Sequence, residues 1–183
     1  MRASLPWLTI IVFAATAITT GAMLLNPAIG DAPERNGPLM LEGQVWRFVT
    51  TWLVETDGWQ QIAVNFTGLA IFGFLVERFV RRAWWVVAYL GAGLTGEIAG
   101  LFWQPVGGGN SVAIAGLIGL FSMWQVRRQD AGLGPVRYLG TAVWLGFGLI
   151  LCFRHDIHGP ALVMGFLLGA LAFAKPRAEA RHA

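Results

Sequence analysis

The stretch GGGNSVAIAGLIGLFSMWQV, residues 107–126, decides the fold. Three glycines and an asparagine form a turn, Ser111 follows, and no charged residue appears again before Arg127 and Arg128. A segment so apolar, with Ser111, Ala115 and Gly119 at i, i+4 and i+8, reads as a helix inside a membrane. Its small side chains form a stripe along which a second helix can approach closely.

The rest of the chain has the same character. Of its 183 residues 56% are hydrophobic and 13% charged, and the mean hydropathy is +0.59. A soluble domain carries roughly a quarter charged residues, so the solvent expected for this surface is lipid. Apolar stretches bounded by charges, Pro and Gly give six candidate spans at about 6–25, 59–79, 83–103, 111–126, 138–153 and 158–174. The last three are short for a hydrocarbon core of about 30 Å, which implies local thinning of the bilayer or partial cover by protein. The expectation is an all-α membrane protein, a six-helix bundle forming one domain over 1–183. The stretch 6–25 is longer than the apolar region of a signal peptide and lacks a clean cleavage site, so it reads as a retained first helix. Residues 26–58 read as an outer loop. Within it Leu41, Val45, Phe48, Val49 and Trp52 recur with Trp46 at helical spacing, which predicts an amphipathic helix lying in the interface.

The basic residues follow the membrane rather than a nucleic acid, despite a pI near 9.8. With a cytoplasmic N-terminus, ten of the thirteen fall on the inner side: Arg2, Arg78, Arg81, Arg82, Arg127, Arg128, Arg137, Lys175, Arg177 and Arg181. Arg35, Arg47 and Arg154 fall outside, so both termini are expected in the cytoplasm. Cys152 is the sole cysteine and reads as a small buried apolar residue. The three histidines lack partner ligands at metal-binding spacing, and no phosphate-binding glycine loop follows a strand. No metal, cofactor or nucleic acid is therefore expected.

Polar groups inside a membrane usually face the bundle interior. Here they gather at one level, at the outward N-termini of three inward-running spans. Gln61 and Asn65 belong to the second, Ser111 to the fourth and His158 to the sixth. His158, Ala161, Gly165 and Gly169 form a second small stripe, and two such stripes face to face would set Ser111 opposite His158. A neutral imidazole there takes the serine proton as the hydroxyl attacks a carbonyl. The amides of Gln61 and Asn65, at i and i+4 on one face, and the Ser111 backbone N–H are candidate donors to the oxyanion.

These residues resemble the rhomboid family of intramembrane serine proteases. Residues 109–119, Gly109-Asn110-Ser111 through Gly119, are similar to its Gly-x-Ser-Gly motif and the helix that follows. His158, with Gly165 and Gly169 at +7 and +11, resembles its histidine helix. Trp46-Arg47 is similar to the tryptophan–arginine pair of its first loop, and Glu77-Arg78 to the pair closing its second helix. The resemblance implies a Ser111–His158 dyad without a catalytic acid, Asn65 as the oxyanion asparagine, and cleavage of transmembrane protein substrates near the outer membrane face. A bacterial inner membrane is the location it suggests.

Three positions depart from the pattern. Gln61 stands where many members have a histidine, so oxyanion stabilisation is expected to be reduced or altered. Val112 replaces a glycine after the serine and would crowd a substrate backbone. Ala115 replaces an aromatic residue that often packs on the histidine, leaving His158 to another ring or to Asp156. These departures keep open a catalytically silent relative that binds transmembrane segments. A small transporter is a remoter alternative, since the inner half of every span is apolar. Glu97, inside the third span, reads as a neutral carboxyl bonded to a neighbouring helix, or else as a group hydrating the cavity. His155 reads as a solvated loop residue, and Trp84, Trp85, Trp103 and Trp124 as interfacial anchors.

Overall fold

A computed structural model describes residues 5–128 and 134–174. Arg2, Lys175, Arg177 and Arg181, which enter the charge argument, lie outside the described residues. Six apolar helical segments build the molecule. They are α1 (Trp7–Leu25), α5 (Gly58–Gly68) running through a π turn (Leu69–Gly73) into α6 (Phe74–Phe79), α7 (Arg82–Trp103), α8 (Ser111–Arg127), α9 (Val136–Phe153) and α10 (His158–Ala172). The short helices α2 (Ala28–Asp31), α3 (Gly37–Leu41) and α4 (Arg47–Thr50) lie between α1 and α5. α1, Gly58–Phe79 and α7 are long and apolar enough to cross a membrane. α8 and α10, of 17 and 15 residues, are only about 22–26 Å long at 1.5 Å per residue.

The buried centre is α8, whose residues from Val112 to Leu117 are all buried and which packs against α7, α9 and α10. Two glycines set the closest approach. A methyl group on Gly116 would collide with Ala88 and Ala92 of α7, and one on Gly165 would enter the backbone of Gly116. Gly119 meets the backbone of Leu162, Gly165 and Phe166 in the same way. The small stripes expected from the sequence thus do meet, with Gly116 as the additional contact toward α7.

α1 presents a polar stripe to the body of the protein and apolar residues outward. Thr9, Thr16 and Thr20 are its buried residues. The buried Glu77 carboxylate accepts from the Leu8 and Thr9 backbone N–H groups at 3.1 and 3.0 Å, from Thr9 Oγ1 at 3.0 Å and from Arg82 Nε at 3.1 Å. It therefore caps the start of α1 with negative charge, where orphan donors and the helix dipole favour it. In the π turn the Gly73 carbonyl accepts from Trp85 Nε1 at 3.1 Å. Trp85 is buried and stacked on Tyr89, so it is a core residue rather than an interfacial anchor.

The segment between α1 and α5 is not one amphipathic helix. Gly43, at φ +106°, stops α3, and the chain restarts as α4 followed by a 3-10 turn, Thr51–Leu53. Leu41 consequently ends α3 while Val45 lies in the turn before α4, and both are exposed. What fixes this segment is polar. Arg47 is buried and donates from Nη1 to the carbonyls of Asp31 and Glu34 and from Nε to Gln44 Oε1 at 2.7 Å. A two-residue strand, β1 (Arg35–Asn36), pairs antiparallel with β2 (Val106–Gly107), in the register Arg35 to Gly107. Through this pairing the outer segment is bound directly to the glycine turn before Ser111.

Candidate active site

Ser111 is the first residue of α8 and His158 the first of α10. Their side chains meet: His158 Nε2 lies 2.8 Å from Ser111 Oγ. The other ring nitrogen, Nδ1, lies 2.6 Å from Asp156 Oδ1, which also accepts the His158 backbone N–H at 2.9 Å. With Nδ1 carrying the proton, Nε2 is left as the acceptor for the serine hydroxyl. The bonds from the His158 ring and N–H hold the Asp156 carboxyl below the usual carboxylate range, against the opposing effect of partial burial. The resemblance implied a pair without an acid; in this chain a carboxylate stands behind the imidazole. His155, at φ +53°, is exposed and rests edge-on against Trp103.

The turn before Ser111 requires glycine. Gly107 and Gly109 have φ of +145° and +138°, a region that side-chain-bearing residues rarely adopt. A methyl group on Gly109 would also lie within 2.7 Å of Gln61 Nε2, 3.0 Å of Glu55 Oε2 and 3.2 Å of Asn65 Nδ2. Three residues of the outer segment and α5, Thr51, Glu55 and Gln61, grip this turn, and Asn65 holds Glu55. The Thr51 carbonyl accepts from the Gly109 N–H at 2.9 Å, and Thr51 Oγ1 donates to the Gly107 carbonyl at 3.2 Å. Gln61 Nε2 donates to the Gly108 carbonyl at 2.6 Å. Glu55 Oε1 accepts from the Asn110 N–H at 3.3 Å, and its Oε2 accepts from Asn65 Nδ2. The serine is thus presented on a fixed helix N-terminus, whose first N–H groups have no acceptor within the helix.

Ser111, His158, Asn65 and Gln61 all line one cavity of about 630 Å³. Its remaining wall is apolar, with Phe72, Trp144 and Phe147 among the lining residues. The two α5 amides differ within it. Gln61 Nε2 donates to Gly108 O and to Asp57 Oδ2, the latter at 3.3 Å, and its Oε1 accepts the Asp57 N–H at 2.9 Å. Asn65 Nδ2 has one bond, to Glu55, and retains a second N–H. Ala115 lines the cavity, whereas Val112 points away, against Gly96 of α7. Val112 therefore does not crowd the cavity as its side chain suggested.

Two groups of this region were not legible as site residues. Glu55 is fully buried beside Asn65, and burial pushes its carboxyl up to about 7, against the bonds from Asn110 and Asn65 that favour the charged form. Arg35 is buried above the glycine turn, its Nη1 3.1 and 3.0 Å from the two Glu97 oxygens and its Nε 2.7 Å from the Gln104 carbonyl. Trp52 Nε1 completes this cluster by donating to Glu97 at 3.3 Å. Glu97 is therefore tied to Arg35 and Trp52 of the outer segment rather than to the next helix.

Fold and site together define a helical integral membrane protein with a serine–histidine pair at the ends of two buried helices. The chain belongs to the rhomboid family: residues 42–175 match the rhomboid domain. It is 29% identical over 181 residues to Rhomboid protease GluP of Bacillus subtilis (strain 168), an alignment covering 94% of this chain and 34% of that protein. It is 27% identical over 141 residues to the protein of the same organism named "Putative rhomboid protease YdcA", covering 73% of this chain and 70% of that one. The chain spans about a third of the length of GluP.

Proposed function

We propose that this protein is an intramembrane serine endopeptidase acting on transmembrane protein substrates, with Ser111 as nucleophile and His158 as general base. The observation that carries the reading is the 2.8 Å approach of His158 Nε2 to Ser111 Oγ, with Asp156 on the opposite ring nitrogen. Nε2 takes the hydroxyl proton as Oγ bonds to the scissile carbonyl carbon, and Asp156 stabilises the imidazolium that forms. The imidazolium then returns the proton to the departing amine as the peptide C–N bond breaks, and water hydrolyses the acyl-enzyme by the same route. The oxyanion is met by the spare Asn65 N–H and the Ser111 backbone N–H. Gln61 joins them by exchanging one of its present acceptors for the oxyanion.

The apolar cavity supports entry of a substrate segment from lipid, between the Gly58–Phe79 helix and α9. All six apolar helices cross the membrane in this reading, with both termini in the cytoplasm and residues 26–58 outside. A bacterial inner membrane is the proposed location, in keeping with relatives from Bacillus subtilis. No cofactor takes part.

The bonded state of both Gln61 amide hydrogens favours one second reading, a silent relative that binds transmembrane segments without cutting them. Labelling of the detergent-solubilised protein with a fluorophosphonate probe separates the two. The protease reading expects labelling of wild type that is lost in Ser111→Ala and in His158→Ala. A folded, monodisperse wild type that does not label would overturn it in favour of the silent relative.

A further inference from the structure

The outer loop places one carboxylate where no solvent reaches it, between the two elements that form the oxyanion side of the site. We propose that Glu55 is a positioning residue for this chemistry, its ionised carboxylate locking the Asn65 amide and the Gly109–Asn110 peptide into the geometry that receives the oxyanion. This inference rests on the protease reading above.

The geometry assigns each oxygen one donor. Oε2 accepts from Asn65 Nδ2 and Oε1 from the Asn110 N–H. An amide has two N–H bonds in one plane, so fixing one of them fixes the direction of the other, and Asn65 lines the same cavity as Ser111. The second bond holds the Gly109–Asn110 peptide, one peptide ahead of the Ser111 N–H, and with it the orientation in which α8 begins. The close fit of Gly109 against Glu55, Asn65 and Gln61 leaves this assembly little freedom.

The ionised form does this best. A carboxylate offers both oxygens as strong acceptors, whereas protonation turns one oxygen into a donor and weakens it as an acceptor. Facing two donors, the protonated side chain holds one of them, Asn65 or the Asn110 N–H, less firmly. Thr20 Oγ1 of α1 accepts the Glu55 backbone N–H at 3.2 Å, Asn65 comes from α5, and the turn contributes Asn110. The titratable groups acting on it are Asp57 of its own loop and Tyr89 of α7, and neither is a cation. Burial raises the Glu55 carboxyl to about 7, which places the switch between its two forms near neutral pH.

The test is the second-order rate constant for fluorophosphonate labelling of the full chain in detergent between pH 5 and pH 9. Protonation of Glu55 should slow wild type as the pH falls through about 7, by about the same 10- to 100-fold that Glu55→Gln, of the same shape, loses at pH 8. The ratio of the wild-type rate to the Glu55→Gln rate should therefore shrink toward one as the pH is lowered to 5. Because Glu55 acts in part through Asn65, the double variant Glu55→Gln/Asn65→Ala should lose clearly less than the product of the two single losses. A wild-type profile that runs parallel to that of Asn65→Ala from pH 9 to pH 5 overturns the proposal, so the decision does not depend on Glu55→Gln folding. So does a Glu55→Gln protein with unchanged rate and pH profile, or a double variant whose losses multiply. Those results leave the Ser111–His158 reading standing as long as wild type labels and Ser111→Ala does not; a folded wild type that never labels removes both.

Discussion

Asp156 Oδ1 accepts two bonds from one residue, at 2.6 Å from the His158 ring Nδ1 and at 2.9 Å from the His158 backbone N–H. One carboxylate thereby starts α10 and sets the tautomer of the residue that α10 presents. Asp156→Asn keeps an acceptor for both bonds but removes the charge that stabilises the imidazolium. It is expected to slow fluorophosphonate labelling by about 10- to 100-fold, less than for a buried triad aspartate, because Asp156 is 30% exposed and solvent shares the work. Asp156→Ala also loses the helix start and should add a fall in melting temperature, corresponding to about 1 kcal/mol. Equal rates for wild type and Asp156→Asn would show that the imidazole needs no anion behind it.

Glu55 carries a pH signature in stability that runs opposite to its role in the site. Its folded carboxyl lies at about 7, above the ordinary value of 4.5, so the native state binds the proton more tightly than the unfolded state does. The stabilisation is fully present below about pH 4.5 and is lost as pH rises through about 7, an effect of about 3 kcal/mol. Melting curves of the detergent-solubilised protein should therefore show this component falling between pH 5 and pH 8. In Glu55→Gln the component should vanish, leaving a flatter profile. A profile of the same shape in both proteins would place the titration elsewhere.

The sequence made the dyad legible because both members follow turn signals and head stripes of small residues, so helical periodicity alone brings them face to face. It made Asp156 half legible, as one of two supports for His158. The groups that grip the turn were hidden for a different reason. Glu55, Thr51 and Arg35 sit in a segment whose apolar pattern says nothing of polar contacts, and their partners lie far along the chain, Glu97 being 62 residues from Arg35. The same segment misled the reading of an interfacial helix: its apolar residues recur at helical spacing, but Gly43 at φ +106° breaks the helix between Leu41 and Val45. Periodicity reports which face is buried; it does not report a buried ion pair.

Arg35 and Glu97 are 6% and 0% exposed at the side chain and pair at 3.0 Å. Arg35→Met leaves a buried carboxylate without its cation and should cost about 3–5 kcal/mol. Replacing both by methionine removes the unpaired charge and should cost less than Arg35→Met alone. Because the Arg35 guanidinium also donates to the Gln104 carbonyl at 2.7 Å, just before the glycine turn, the single variant should label more slowly as well, its turn having lost a side-chain anchor. Stability losses that simply add in the double variant would show that the two residues do not act as a pair.

Helix α8 offers a contrast between glycines that tests the close packing directly. At Gly116 an added methyl group would lie 2.5 Å from the Ala88 carbonyl oxygen, a backbone atom that cannot swing aside. At Gly146 of α9 it would meet nothing within 4 Å. Gly116→Ala should therefore destabilise the protein by about 1–3 kcal/mol, by pushing α7 away from α8. Its labelling should slow as well, since α8 carries Ser111 and meets α10 at Gly119 and Gly165. Gly146→Ala, in the same type of helix, should be neutral or stabilise by up to about 1 kcal/mol, because alanine restricts the unfolded chain more than glycine does. Melting both variants beside wild type separates the two effects. Equal tolerance at both positions would mean that α7 and α8 are held apart by more than the glycine, and that the site does not depend on their contact.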